Sequence, residues 1–499
     1  MSEGPGPAAG VLHLRRPSVA ACPPRRPDGR QVAATRGSGG PHQPNLPLDH
    51  DALDRALRSW RFWLVAVLVG LGAGLGAGGL MAILHAVQHV AYGYHHGDFQ
   101  HGVRAAARWR PVAVMAGAGL VLGAAWMLLR RLGGPVRSLD EAVWERDGRL
   151  RVARTTVNAV LQIVAVGAGA TLGREGAPKE LGAGFASWLS DRARLSPAER
   201  RVLVACGAGA GMAAVYNVPL GGALFAAEVL LGSLSLPLVV PALATAGVAT
   251  GVSWLLLPDR PTYVVGHLPL SASLTLWAVP FGLLAGLLGA GLIVLVGWAK
   301  DRATSGPRTV GSVAVSFAAV GAVGAALPEV LGNGKDVTQL AFSGALGLPL
   351  VAAILIVRPL ATAALLRAGA VGGLFTPTLT VGALAGVLAG RAWGMAWPAG
   401  PVAGLALVGG AALLSGAMQS PIASVVLAVE LTHSGLGVLV PVALAAAGAT
   451  AVSRALVPAS LYTASGWWRV THVRPGGRPP EATPPEVSPP GGEGTGGRS

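Results

Sequence analysis

Five stretches of this chain, residues 62–84, 111–129, 236–257, 274–299 and 402–429, contain no Asp, Glu, Lys or Arg. Each is close to or longer than the roughly 20 residues an α-helix needs to cross the hydrocarbon of a bilayer. Further apolar stretches near 157–172, 203–227, 309–328 and 436–453 bring the expected number of membrane segments to ten or more. Charged residues make up only 12% of the chain and AVILMFWYC residues 52%, where an ordinary soluble domain carries about 25% charge. A soluble enzyme of this size is thereby excluded, and so is disorder except at the ends. No segment alternates outward-facing apolar residues over about ten positions, which excludes a transmembrane barrel. What remains is an all-α polytopic membrane protein.

The chain carries 38 Lys and Arg against 23 Asp and Glu, a formal net charge of +15. Arg130, Arg131, Arg149, Arg151, Arg154, Arg192, Arg194, Arg200 and Arg201 flank apolar runs, as positive charge held at a cytoplasmic face does. Aromatic residues do not interleave with these arginines, so the expected partner is the lipid bilayer and not nucleic acid. Residues 1–57 and 470–499, rich in Pro, Gly and charge, are expected to be flexible tails. Residues 58–469 are expected to form the transmembrane domain, in two related halves at about 58–235 and 270–457 plus a final helix near 458–469. The first 57 residues lack the apolar core of a cleavable signal peptide. The expected location is the plasma membrane, with both termini cytoplasmic. Trp60, Trp63, Trp467 and Trp468 suit interfacial anchors. Cys22 and Cys206 imply neither a disulfide framework nor a metal site, and no cofactor is expected.

The core contains a weak internal repeat. Gly207–Val229 lies on Gly409–Leu431 without gaps, so that Pro219 meets Pro421 and Glu228 meets Glu430 at an offset of 202. Upstream, Gly173–Pro178 (GREGAP) falls on Gly372–Pro377 (GGLFTP) at an offset of 199. Both motifs are glycine-rich, end in proline and lie deep in apolar sequence. Glycine permits irregular backbone and proline suits the first turn of a helix, so each motif is expected to interrupt a helix and start another. A helix N-terminus there offers unpaired N–H groups and about half a positive charge, which favours an anion. Two such ends would hold it weakly enough to let it leave.

Glu175 lies inside the first motif, and an acid at membrane depth is by default a functional candidate. Ionised, its carboxylate would occupy an anion site; protonated or swung aside, it would vacate it. An ion pair with the adjacent Arg174 is the structural alternative. Glu228 and Glu430 end their helices symmetrically, which favours capping, and Lys179 and Glu180 could pair with each other. Gly74, Gly76 and Gly79 form G-x-G-x-x-G without a preceding strand and are expected to pack helices. His85, His89, His95, His96 and His101 cluster without a clear acid or cysteine partner, and a helix end is expected there, not a metal site. Neither H-E-x-x-H nor G-x-S-x-G occurs, and intramembrane acids are isolated, so neither an enzyme nor a cation-coupled carrier is expected.

Gly173-Arg174-Glu175-Gly176 and Gly373-Leu374-Phe375-Thr376-Pro377 resemble the G-R-E-G-x and G-x-F-x-P signatures of the CLC chloride channels and chloride/proton antiporters. The segment Gly207–Glu228 and the pair Leu461-Tyr462 are also similar to landmarks of that family, and the likeness covers roughly 110–468. The resemblance implies an inverted repeat of tilted, broken and re-entrant helices, and a homodimer with one pore per subunit. It implies that Glu175 is the gating glutamate, that the amides of Leu374 and Phe375 line the anion site, and that the Tyr462 hydroxyl donates to the anion. Gly176, Gly133 and Gly134 are expected beside that anion, and Arg174, Gly173, Gly373 and Pro377 shape the pore.

Three departures from the family pattern bear on function. Where G-S-G-x-P would fall, this chain has Gly133-Gly134-Pro135-Val136-Arg137-Ser138, so the pore serine is missing and another anion, such as fluoride, becomes an alternative substrate. Ala177 displaces the proline to Pro178, which shifts the expected start of the helix. Val229 stands at the position after Glu228 where the antiporters carry a proton-accepting glutamate. The leading expectation is therefore passive chloride conduction of the voltage-gated channel type, gated by Glu175, with chloride/proton antiport as the alternative.

Overall fold

The computed structural model describes residues 50–464 apart from 96, 135–138, 146–147, 267, 270 and 399. Cys22, His96, Trp467, Trp468 and the segment 470–499 lie outside the described residues. The first half runs through α1 (His50–Leu57), α2 (Trp60–Tyr92), α3 (Phe99–Ala105), α4 (Trp109–Gly133) and α5 (Leu139–Glu145). It continues with α6 (Val152–Gly167), α7 (Gly176–Arg192), α8 (Pro197–Tyr216), α9 (Pro219–Leu224), a π-helical turn Phe225–Leu230, and α10 (Leu236–Ser253). The second half holds α11 (Ala272–Asp301), α12 (Arg308–Ala326), α13 (Lys335–Phe342) and α14 (Leu348–Ala368). It ends with α15 (Phe375–Trp393), α16 (Val402–Met418), α17 (Pro421–Thr432) and α18 (Leu439–Leu456).

Seven of these helices are long and apolar enough to cross a membrane, and Val152–Gly167, Pro219–Leu230, Val402–Met418 and Pro421–Thr432 are shorter apolar helices. The charge-free run 402–429, expected as one span, is divided between α16 and α17. Gln419 caps α16 at φ 57°, in the left-handed region, and Pro421 opens α17. The first half breaks in the same way, with Asn217 at φ 57° after α8 and Pro219 opening α9. A proline has no N–H to extend the preceding helix, and its fixed φ suits the start of the next.

These two breaks are tied together reciprocally. The Glu228 carboxylate accepts from the amides of Ile422 (3.2 Å) and Ala423 (2.6 Å) at the start of α17. The Glu430 carboxylate accepts from Leu220 (3.0 Å) and Gly221 (2.6 Å) at the start of α9. Each acid thus caps the helix of the other half, at the 202-residue offset read from the sequence. Contacts exchanged this way require a two-fold axis between the halves, the arrangement of an inverted repeat. The two halves also share the one extended pairing among the described residues, Gly173 antiparallel to Gly373.

The innermost helices, α8 and α16, are buried almost all round, as expected for helices apolar on every face. Small residues let their backbones approach α7 and α15. A Cβ on Gly182 would lie 2.1 Å from the Gly207 carbonyl oxygen, and one on Gly382 would lie 2.6 Å from that of Gly409. Close backbone approach is how membrane helices gain dispersion contacts when lipid is as apolar as their side chains.

Several expectations need correction. The first tail does not extend to residue 57, because His50–Leu57 forms α1. Leu53 and Ala56, three residues apart on one helical face, are buried in the core, which supplies the packing that a polar tail lacks. Arg200 and Arg201, near the start of α8, are buried within the protein, with Arg200 in an ion pair with Asp191 (2.8 Å). Trp60 is exposed at the start of α2 as an anchor would be, whereas Trp63 turns inward and donates to the Leu57 carbonyl (2.8 Å). At the other end, Ser460 and Thr463 exchange reciprocal side chain–backbone bonds around the turn Leu461–Thr463, the pattern of a helix start. Residues 465–469 of the expected final helix lie outside the described residues.

Candidate anion site

The chain between α6 and α7 and the chain between α14 and α15 are both unwound. Gly169 at φ +115° and Gly369 at φ +100° begin the two interruptions, where an L side chain would be strained. The strands then meet at Gly173 and Gly373, whose amides donate to each other's carbonyls at 2.6 and 3.0 Å. After the crossing, α7 starts at Gly176 and α15 at Phe375, 199 residues apart as the motif alignment requires. Pro178 and Pro377 each occupy the third position of their helix. The N–H groups there have no intrahelical acceptor, so the displaced proline shifts nothing.

Glu175 is the residue just before α7 and is completely buried. One oxygen, Oε1, accepts the amide of Phe375, the first residue of α15, at 2.7 Å. The other, Oε2, accepts the hydroxyls of Tyr216 (3.0 Å) and Thr376 (3.2 Å). The carboxylate of one broken helix therefore sits on the N-terminus of the other, where amides and partial charge favour an anion. The pocket around it is tight. A Cβ built on Gly173 would stand 2.2 Å from both carboxylate oxygens, and one on Gly373 would stand 2.0 Å from Oε1. Only glycine leaves room for the carboxylate at these two positions.

Arg174 takes no part in an ion pair with Glu175. Its guanidinium lies over the Tyr216 ring, 4.9 Å from the centroid, and the Tyr216 and Thr376 hydroxyls also meet each other, so their two hydrogens are shared among three contacts. Tyr216 is the last residue of α8, is itself buried, and packs against Phe375 with ring centroids 5.6 Å apart.

Beside this carboxylate opens a cavity of about 280 Å³, with Gly176, Gly373, Leu374 and Tyr462 in its wall. Tyr462 is placed by its neighbour Leu461, whose amide donates to the Ala417 carbonyl of α16 (2.8 Å). The structure thus gathers Glu175, Gly176, Gly373, Leu374, Phe375 and Tyr462, but not Gly133 and Gly134. Those two end α4, with their carbonyls held by the Arg154 guanidinium and the Gly134 amide bonded to Arg130. Residues 135–138 lie outside the described residues. Val229 lies partly buried in the π-helical turn, beside the Glu228 that caps α17. Lys179 donates to Tyr462 (3.2 Å), and Glu180 accepts from Asn158 (2.6 Å). Of the histidines, His89 bonds the Tyr94 carbonyl and stacks on its ring, and among the described residues no three His, Cys, Asp or Glu converge as metal ligands.

Sequence reasoning overlooked Tyr216 and Thr376. A signal for both existed in the repeat itself, at positions where the halves disagree. Tyr216 stands opposite Met418, Thr376 opposite Ala177, and Glu175 opposite Leu374. A two-fold scaffold carries an asymmetric site wherever such pairs differ.

A family described as voltage gated chloride channel matches residues 118–454 of this chain. The chain is 30% identical over 416 residues to the voltage-gated ClC-type chloride channel ClcB of Citrobacter koseri, covering 81% of this chain and 98% of that one. Its fold is similar to that of a slow cyanobacterial Cl−/H+ antiporter, at a TM-score of 0.71 and 20% identity over 83% of this chain and 99% of the other. It is also similar to a CLC-type fluoride/proton antiporter, at a TM-score of 0.66 and 19% identity over 81% of this chain and 97% of the other. With the crossed glycine strands, the swapped caps and the buried glutamate on the opposing helix, these matches establish that the chain is a multi-pass membrane protein of the CLC family.

Proposed function

We propose that each protomer conducts a small anion, chloride above all, passively through its own pore, with Glu175 as the gate. The observation that carries this reading is the Glu175 carboxylate accepting the Phe375 amide at the N-terminus of α15. An ionised carboxylate in that position is a tethered competitor for the anion. Protonation weakens the hydrogen bonds it accepts, since charge-assisted bonds are about twice as strong as neutral ones. The acid then swings away, and an anion from the cavity takes its place on the amide. Val229 supports a passive route, because its apolar side chain cannot relay a proton from the position next to Glu228.

Purified protein in liposomes should dissipate a chloride gradient without moving protons uphill. Repeating the assay with bromide, nitrate and fluoride ranks the anions. Glu175→Gln should leave flux nearly independent of external pH, and an unchanged pH profile would place the gate elsewhere. We further propose a homodimer in the bilayer, to be checked by cross-linking in membranes.

One observation favours a second reading, proton-coupled exchange. Glu180 carries a carboxylate on the wall of the same cavity, five residues after Glu175. Uphill proton movement driven by chloride, and lost in Glu180→Gln, would establish that reading in place of the passive one.

A further inference from the structure

The cavity beside Glu175 contains a cation that the two signature motifs do not supply. Lys179 lies in the first turn of α7, four residues after Glu175, and is only 3% exposed. Its ammonium donates to the Tyr462 hydroxyl oxygen at 3.2 Å. It also lies 4.9 Å from the centre of the Phe225 ring and 4.7 Å from that of Tyr462, within the range in which aromatic faces hold a cation. The repeat gives no structural reason for a charge here. Its counterpart at the 199-residue offset is Thr378, whose hydroxyl bonds back to the Leu374 carbonyl of its own helix.

An ionisable side chain this deep in a membrane protein is expensive to keep and marks a substrate path. Its surroundings strengthen that inference, because among the described residues Lys179, Arg130 and Lys300 line the cavity with Glu180 as the one acid. The hydrogen bond also has one possible direction. An ammonium only donates, so the phenol oxygen is the acceptor and the phenol hydrogen is turned away from the cation. A phenol whose oxygen is engaged by a cation is a polarised and therefore stronger donor.

We propose that Lys179 is the charged ligand of a second anion position in this cavity, acting with the Tyr462 hydroxyl. The inference rests on the reading of Glu175 as the competitor at the first position. It adds that the second position binds by full charge and not by helix ends alone. The ligand class is a small monoanion of halide size. The Gly133–Gly134 end of α4, where the resemblance expected a hydroxyl-bearing segment, is bound to Arg154 instead, and Lys179 supplies the missing donor.

Chloride titrated calorimetrically into the purified full chain tests this. Lys179→Met and Lys179→Gln should each weaken binding by roughly tenfold or more, the effect of losing a charge-assisted hydrogen bond. Lys179→Arg should retain most of it. Wild-type affinity in folded Met and Gln variants would overturn the role of Lys179. Bromide diffraction from the wild-type protein needs no variant and covers the case in which both fail to fold. A peak within about 4 Å of Nζ, the reach of an ion contact, is expected, and a cavity bromide remote from Nζ would overturn the proposal. The parent reading is judged separately by the pH profile of Glu175→Gln. If that profile flattens while the Lys179 variants bind normally, only the present inference falls.

Discussion

Replacing Tyr216 by Phe removes the phenol hydroxyl from the closed gate, and with it the contacts to the Glu175 carboxylate and to the Thr376 hydroxyl. The ring keeps its place between Arg174 (4.9 Å) and Phe375 (5.6 Å), and Thr376 still donates to Oε2 at 3.2 Å. A hydrogen bond to a charged group contributes about 1.5–3 kcal/mol, and every 1.4 kcal/mol or so is about tenfold in an equilibrium. Tyr216 donates to the carboxylate in its pore-blocking position, so its loss destabilises the closed arrangement. With Thr376 taking part of the load, chloride flux at alkaline pH should rise by about tenfold, the lower end of that range. Chloride efflux from liposomes at alkaline pH measures that leak directly. Efflux no faster than the wild type from a folded variant would refute the claim that the carboxylate is held by Tyr216 when the pore is shut.

Gly373→Ala should force the gate out, because the new methyl would stand 2.0 Å from the Glu175 oxygen; flux at alkaline pH should rise toward that of Glu175→Gln. Glu430→Ala and Glu228→Ala each remove the cap of a partly buried helix start and should each destabilise the protein by about 1–2 kcal/mol. Thermal melting in detergent should show similar losses for the two, and a large inequality would argue against the two-fold exchange of caps. Arg358→Met strands the carbonyls of Glu329, Val330 and Gly332, which the buried guanidinium now holds at 2.7, 3.3 and 2.9 Å. At about 1–3 kcal/mol for each unsatisfied buried group, that variant should fold poorly or melt well below the wild type.

Much of the scaffold was legible because backbone chemistry leaves local marks. Glycine followed by proline inside apolar sequence announced the breaks at 173–178 and 372–377, and the two offsets paired the right helix starts. The acids ending the repeat pointed to caps, although only the three-dimensional crossing reveals that Glu228 caps the helix of Pro421 and Glu430 that of Pro219. Partners fixed by distant chain crossings were not legible. Adjacency in the sequence suggests the pairs Arg174–Glu175 and Lys179–Glu180. The fold instead turns Arg174 onto Tyr216 and Lys179 onto Tyr462, 42 and 283 residues away. The segment at Gly133 failed for the same reason, since nothing local announces that Arg154 holds the end of α4. Comparing the halves for disagreement, not likeness, would have recovered Tyr216 and Thr376 from the sequence alone.

The central claim is that the Glu175 carboxylate and a permeant anion compete for the same amide. Anomalous diffraction from bromide-soaked crystals at alkaline pH, for the wild type and for Glu175→Gln, tests it most directly. The account predicts bromide on the Phe375 amide in the variant and the carboxylate there in the wild type. Bromide on that amide in the wild type with Glu175 still in place, or none in a variant whose side chain has left, would contradict it.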